Sequence, residues 1–177
     1  MATALIAAFW IMVPAYVPNS AAAALGGGTP VDLGKNWRDG RRILGDGKTY
    51  RGFILGVAAG IAVGVLQIVL REHFGWSLLP EHTLVTVTLL ATGALLGDMA
   101  ESFIKRRLGK ESGEEWPLAD QYDLVVGAFV LLILFQYAWV VRYVDLLVFF
   151  WILILTPLLH RAANIIGYLI GVKEVPW

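Results

Sequence analysis

The sequence predicts an all-α fold, a polytopic membrane helix bundle of about five transmembrane helices. Three observations carry that prediction. The 177 residues are 58% hydrophobic and only 16% charged, with a mean hydropathy of +0.68, whereas soluble domains are about half apolar and about a quarter charged. The apolar residues fall in five runs, and a spanning helix needs roughly 20 of them. The charges, which sum to zero, gather at 32–51 and 98–123 and nearly vanish elsewhere. Five spans with short connections leave no room for a separate soluble unit, so residues 1–177 are expected to form a single domain.

Taken in order, the runs are 2–17, 53–70, 83–96, 124–141 and 146–159, the last extending toward Tyr168. The first lacks a basic flank ahead of it, which argues against a cleaved signal peptide in spite of the run Ala21 to Ala24. Pro18 and Asn19 are expected to end this helix. The first connection holds Lys35, Arg38, Arg41, Arg42, Lys48 and Arg51, the third holds Lys105, Arg106, Arg107 and Lys110, and the opposite side offers only Arg71 and Arg142. The positive-inside bias then puts both charged connections and the tail with Lys173 in the cytoplasm, with the N-terminus outside. Trp76, Trp116, Trp139, Trp151 and Trp177 fall near predicted span ends, where amphipathic rings favour the headgroup zone.

Composition also excludes chemistry. Without cysteine there is no disulfide, thiolate metal site or cysteine nucleophile. The three histidines are scattered with no His-x-x-x-His pair, and no serine, histidine and acid arrangement suggests a hydrolase triad. The cations flank spans as positive-inside residues do, and no nucleic-acid partner is expected.

Three constellations remain. Asp98, Glu101, Ser102 and Lys105 stand at i, i+3, i+4 and i+7, on one face of a helix that continues the third span. Such a face could hold a metal ion and a phosphate together; it also suits a solvated helix end. Asp120 and Asp123, three apart at the start of the fourth span, suit Mg²⁺ ligation through carboxylates and substrate phosphates. Asp120 alone would equally serve the helix N-terminus, whereas Asp123 abuts the apolar run, where a carboxylate is costly and usually functional. The stretch 44–52 contains Gly47-Lys48-Thr49, but the glycine a P-loop needs five positions earlier is Arg42 and no strand precedes it. What survives is a glycine-loosened turn presenting Lys48 and Arg51 to an anion, or simply a basic flank. His160, Arg161 and Asn164 share a face of the last helix, for packing or for orienting a headgroup.

Through Pro18-Asn19, Gly47 to Gly52, Gly97-Asp98 to Ser102, Lys105-Arg106, Asp120 to Asp123 and the tail from His160 to Pro176-Trp177, the sequence resembles the archaeal CDP-archaeol synthase family, relatives of the CDP-diacylglycerol synthases. The glycine-rich stretch of the larger relatives is absent before Asp120, and their Lys-Asp element appears only as Lys110-Glu111. The resemblance implies a cytidylyltransferase that joins CTP to 2,3-bis-O-geranylgeranylglycerol 1-phosphate, giving a CDP-lipid and pyrophosphate. In that reading Asp98, Asp120 and Asp123 hold Mg²⁺ and act with Lys105 in catalysis. Lys48, Arg51, Lys105 and Arg106 neutralise phosphates, while Asn19, Thr49 and Ser102 orient them.

Two other readings are weaker. CDP-alcohol phosphatidyltransferases carry an Asp-Gly-x-x-Ala-Arg run, but Asp39-Gly40 is followed by Arg41-Arg42. A small transporter would place polar residues near the bilayer midplane, whereas these charges cluster at span ends. Tail chemistry is open in the sequence, since an acyl glycerol phosphate would fill equally apolar grooves.

Overall fold

The computed structural model describes residues 1–172; Lys173, Pro176 and Trp177 lie outside the described residues. Five long helices form the bundle: α1 (Ala2–Leu25), α2 (Tyr50–Phe74), α3 (Leu84–Arg107), α4 (Ala119–Tyr143) and α5 (Leu146–Leu169). All five are long and apolar enough to cross a membrane. Each covers one of the five apolar runs, the third from its second residue since Thr83 is the cap, and most extend beyond it into polar flanks. Among the described residues, helix α1 packs against all four others, α3 against α1, α2 and α4, and α5 against α1 and α4. Ile11, Met12, Leu90, Leu132 and Ile152 are fully buried where α1, α3, α4 and α5 meet.

Helix α1 does not end at Pro18-Asn19; it runs on to Leu25 with Pro14 and Pro18 inside it. A proline lacks the N–H that would bond the carbonyl four residues earlier, and at Pro14 and Pro157 the freed carbonyl finds a side-chain donor outside its own helix. The Trp10 carbonyl, orphaned by Pro14, accepts from Gln67 Nε2 at 2.9 Å and lies 3.3 Å from His82 Nε2. In α5, Pro157 frees the Leu153 carbonyl, which accepts from the Tyr122 hydroxyl at 2.8 Å. These bonds cross between helices, so Pro14 and Pro157 tie the bundle together instead of breaking it.

Close approach depends on glycine. Gly52, Gly56, Gly60 and Gly64 form a buried stripe along α2. A methyl group at Gly60 would stand 2.7 Å from the Pro14 carbonyl oxygen, the Pro18 ring and the Ala91 side chain. One at Gly93 of α3 would stand 2.6 Å from the Gly127 carbonyl and the Ala128 Cα of α4. Small residues at helix interfaces let backbones pack in van der Waals contact, the main attraction available inside a bilayer.

At the end of the bundle away from the charge clusters, the segment from Pro80 to His82 is pinned by indoles. Trp10 Nε1 donates to the Pro80 carbonyl at 3.1 Å and Trp139 Nε1 to that of Glu81 at 2.6 Å. The His82 ring lies between them, stacked at 6.4 Å on Trp10 and 5.7 Å on Trp139. Trp139 is therefore a buried packing residue and not the interfacial anchor its position near a span end suggests. Burial pushes the His82 pKa down to about 4; the contact to the Trp10 carbonyl opposes this and nearby Arg71 adds to it. A Thr83–Thr86 capping box then starts α3.

Candidate active site

The α1–α2 connection is folded around one carboxylate. Asp32, whose side chain is wholly buried, accepts from the backbone amides of Gly34, Leu44 and Gly45, each at 3.0 Å, and from Arg42 Nε at 3.2 Å and its terminal nitrogen at 2.9 Å. Burial alone would raise the Asp32 pKa, but these donors, Arg42 first, hold it well below the usual carboxylate range. Val31 N donates to the Lys48 carbonyl at 2.8 Å and Tyr50 N to that of Thr29 at 3.1 Å. The connection thereby places Lys48 and Thr49 at the start of α2, where Thr49 accepts from Gly52 N and caps the helix.

The same connection grips the far end of α3. One Arg41 nitrogen donates to the carbonyls of Arg107 at 2.7 Å and Arg106 at 3.3 Å, satisfying orphan groups of the helix terminus. In return Arg107 donates to the Arg42 carbonyl and pairs with Asp39 at 3.1 Å. Trp37 meets Phe103 edge to face at 5.4 Å.

Between these elements lies a cavity of about 750 Å³. The expected face of α3 lines it with Asp98, Glu101, Ser102 and Lys105, and α4 adds Asp120, Gln121 and Asp123. Lys48 reaches across from the α2 side to both Asp98 oxygens, at 2.6 and 2.7 Å. Burial works against the Lys48 charge, but Asp98, and then Asp123 and Glu101, outweigh it and raise the lysine pKa. Lys105 sits between Asp120 at 2.6 Å and Glu101 at 3.2 Å.

Asp98, Glu101 and Asp123 each offer a carboxylate oxygen within 4.8 Å of the others. Three convergent hard oxygen donors fit a cation such as Mg²⁺. Asp98 and Asp123 are in the set the sequence suggests. Asp120, the third expected ligand, lies outside the cluster: its carboxylate faces Lys105 and accepts from Trp116 N at 2.9 Å, and Glu101 takes the position in the cluster. The signal for Glu101 was present in its helical spacing from Asp98.

Of the other expected residues, Asn19, Lys48, Thr49, Ser102, Lys105 and Arg106 all line the cavity. Arg51 is exposed and does not. His160, Arg161 and Asn164 bring the end of α5 to the opposite wall. Asp32 had no sequence signal, because its role depends on how residues 34–45 fold back on it.

A five-helix membrane bundle enclosing acidic and basic side chains around one cavity defines a membrane-embedded enzyme suited to phosphorylated substrates. The family model described as CarS-like, CDP-archaeol synthase, matches residues 1–177, and the chain belongs to that family. It is 62% identical over 166 residues to the CDP-archaeol synthase of Methanoculleus marisnigri and 57% identical over 166 residues to that of Methanosphaerula palustris, in each case 94% of this chain and 100% of the relative. A solved structure, reported as structural insight into an intramembrane enzyme for archaeal membrane lipids biosynthesis, is 39% identical with a TM-score of 0.74, over 91% of this chain and 94% of that one.

Proposed function

We propose that this chain transfers CMP from CTP to 2,3-bis-O-geranylgeranylglycerol 1-phosphate, forming the CDP-lipid and pyrophosphate, with chemistry at the Asp98, Glu101 and Asp123 cluster. The observation that carries the placement is the meeting of these carboxylates with Lys48 and Lys105 inside one cavity of a CDP-archaeol synthase family member.

The lipid phosphate oxygen attacks the α-phosphorus of CTP, the bond from that phosphorus to the bridging oxygen breaks, and pyrophosphate leaves with the electron pair. A phosphate monoester is already ionised near neutral pH, so no strong general base is required. Bound Mg²⁺ supplies neutralisation of the triphosphate and of charge developing at the α-phosphorus. Lys48 fixes the Asp98 carboxylate and offers its ammonium to the triphosphate. Lys105, held by Asp120 and Glu101, and Arg106 neutralise departing phosphate charge, while Ser102 and Asn19 donate to phosphate oxygens. Thr49 acts by setting the start of α2, and Asp120 by positioning Lys105. Such sites work by preorganised charge.

Residues 1–177 act as a single cytidylyltransferase domain. The distribution of Lys and Arg supports a cytoplasmic cavity and C-terminus and an outside N-terminus. The test is label partition: with purified protein, Mg²⁺ and lipid phosphate, α-labelled CTP should label the lipid and γ-labelled CTP only pyrophosphate. Ether-linked and diacyl acceptors compared side by side identify the tails. A folded protein that labels neither lipid overturns the proposal.

A further inference from the structure

The part of the cavity wall that α5 supplies has no role in the scheme above. Helix α5 makes no contact with α3 among the described residues, so the cytidylyltransferase cavity separates them. The α1–α5 seam is closed where the Tyr16 and Thr156 hydroxyls meet at 2.9 Å. In the next turns it opens, and Asn19 on α1 and Arg161 and Asn164 on α5 line the cavity.

Charge on the two walls is unequal. Helices α3 and α4 contribute Asp98, Glu101, Asp120 and Asp123 to the lining, and the cations beside them are engaged: Lys48 with Asp98, Lys105 with Asp120 and Glu101, Arg106 with the Lys110 carbonyl at 2.5 Å. Arg161 has no ion pair among the described residues, and α5 carries no acidic residue. A second anionic substrate approaching the carboxylate wall needs a cation on its far side. Guanidinium suits this, since its planar fork matches two phosphate oxygens at once. Leu159 and Ile165 of α5 line the same wall, and Leu158 and Ile166 are exposed beside it, so an anion held there would have its substituents among apolar side chains.

We infer that Arg161 binds the phosphate of the lipid acceptor, a phosphate monoester carrying apolar chains, on the α5 wall opposite the carboxylate cluster. This rests on the cytidylyltransferase reading for the identity of the second substrate. It divides the cavity into a nucleotide half on α2, α3 and α4 and an acceptor half on α1 and α5. Arg161 is then a binding residue for one substrate only.

The experiment measures steady-state CDP-lipid formation and, separately, equilibrium binding of a radiolabelled geranylgeranyl-ether glycerol phosphate in detergent without CTP, for wild type, Arg161→Ala and Arg161→Lys. Loss of a charged hydrogen-bonding partner should raise the KM for the lipid roughly 10- to 100-fold, leave the KM for CTP within about threefold, and weaken lipid binding in parallel, with partial recovery in the lysine variant. An unchanged lipid KM, or an equal rise in the KM for CTP, overturns the assignment. If wild type makes no CDP-lipid, the reaction reading has failed and the binding arm alone decides: lipid binding that depends on Arg161 upholds the subsite, and equal binding by all three proteins removes it.

Discussion

Replacing Asp32 with alanine should disable the enzyme without touching a substrate. The carboxylate accepts from three backbone amides and from Arg42, and the amides of Leu44 and Gly45 are buried with it. Leaving a buried donor unsatisfied costs about 1–3 kcal/mol, and breaking a buried charge pair about 3–5 kcal/mol. Arg42 is 30% exposed and can rehydrate, so its loss counts as that of a surface pair, about 1 kcal/mol, and two buried amides at about 1 kcal/mol each bring the total to about 3 kcal/mol. Connecting segments are seldom much more stable than that locally, and about 3 kcal/mol is roughly a 100-fold change in the open fraction. Hydrogen exchange at Gly34, Leu44 and Gly45 should therefore accelerate about 100-fold, and kcat/KM for CTP should fall 10- to 100-fold, on the order of that opening. Thermal stability of the helices should barely move, because Asp32 is outside the core. Asp32→Asn should fall between, keeping an acceptor but losing the charge. Because the folded Asp32 pKa is depressed below its unfolded value, its contribution is complete above the ordinary carboxylate pKa of about 3.9 and is lost as pH falls through the lower folded value. Exchange rates and CTP kinetics of Asp32→Ala indistinguishable from wild type would refute the argument.

Other outcomes follow from the same geometry. Lys48→Met should raise the KM for CTP at least about 10-fold, since it removes a charge-assisted contact and leaves Asp98 uncompensated; steady-state kinetics at saturating lipid read this directly. His82 has a folded pKa lowered to about 4 against an unfolded value of about 6.5. The unfolded chain therefore takes up the proton first, and detergent-solubilised protein should lose up to about 3 kcal/mol of stability as pH falls from about 6.5 toward 4, read as a falling melting temperature. His82→Phe should flatten that slope. Gly60→Val should separate α1 from α2, destabilising the bundle by about 1–3 kcal/mol through overpacking, and a thermal melt of the purified protein checks it.

Much of this was legible in the sequence, for identifiable reasons. The five spans were, because a bilayer demands long apolar runs, and so was the Asp98 to Lys105 face, because helical spacing alone fixes it. The end of α1 was not: Pro18-Asn19 reads as a stop, and only Gln67, His82 and the α2 glycines, remote in sequence, show how a proline-containing helix is accommodated. The sequence puts Asp120 beside Asp98 and Asp123 as a candidate ligand, whereas the three carboxylates that converge are Asp98, Glu101 and Asp123. Lys105 pairs with both acids and Asp120 alone also accepts from Trp116 N, so which acid joins Asp98 and Asp123 depends on how α3 meets α4. Arg51 looked equivalent to Lys48, yet once α2 begins at Tyr50 the two point to different sides. Asp32 and Trp139 acquire their roles from segments that fold onto them.

The cluster itself is the central claim, and its most direct test is CDP-lipid formation across a Mg²⁺ titration by wild type, Asp98→Asn, Glu101→Gln, Asp123→Asn and Asp120→Asn. Substitution of any of the three clustered carboxylates should lower kcat at saturating CTP by about 100-fold or more, on the scale of losing an electrostatic contact made in the transition state, and should shift the Mg²⁺ dependence upward. Asp120→Asn, which acts on Lys105 and the Trp116 amide and reaches the cluster only through its contact with Glu101, should shift the Mg²⁺ dependence less than any of those three and lose less rate. Full activity with Glu101→Gln, together with a Mg²⁺ requirement that shifts in Asp120→Asn instead, would contradict the account.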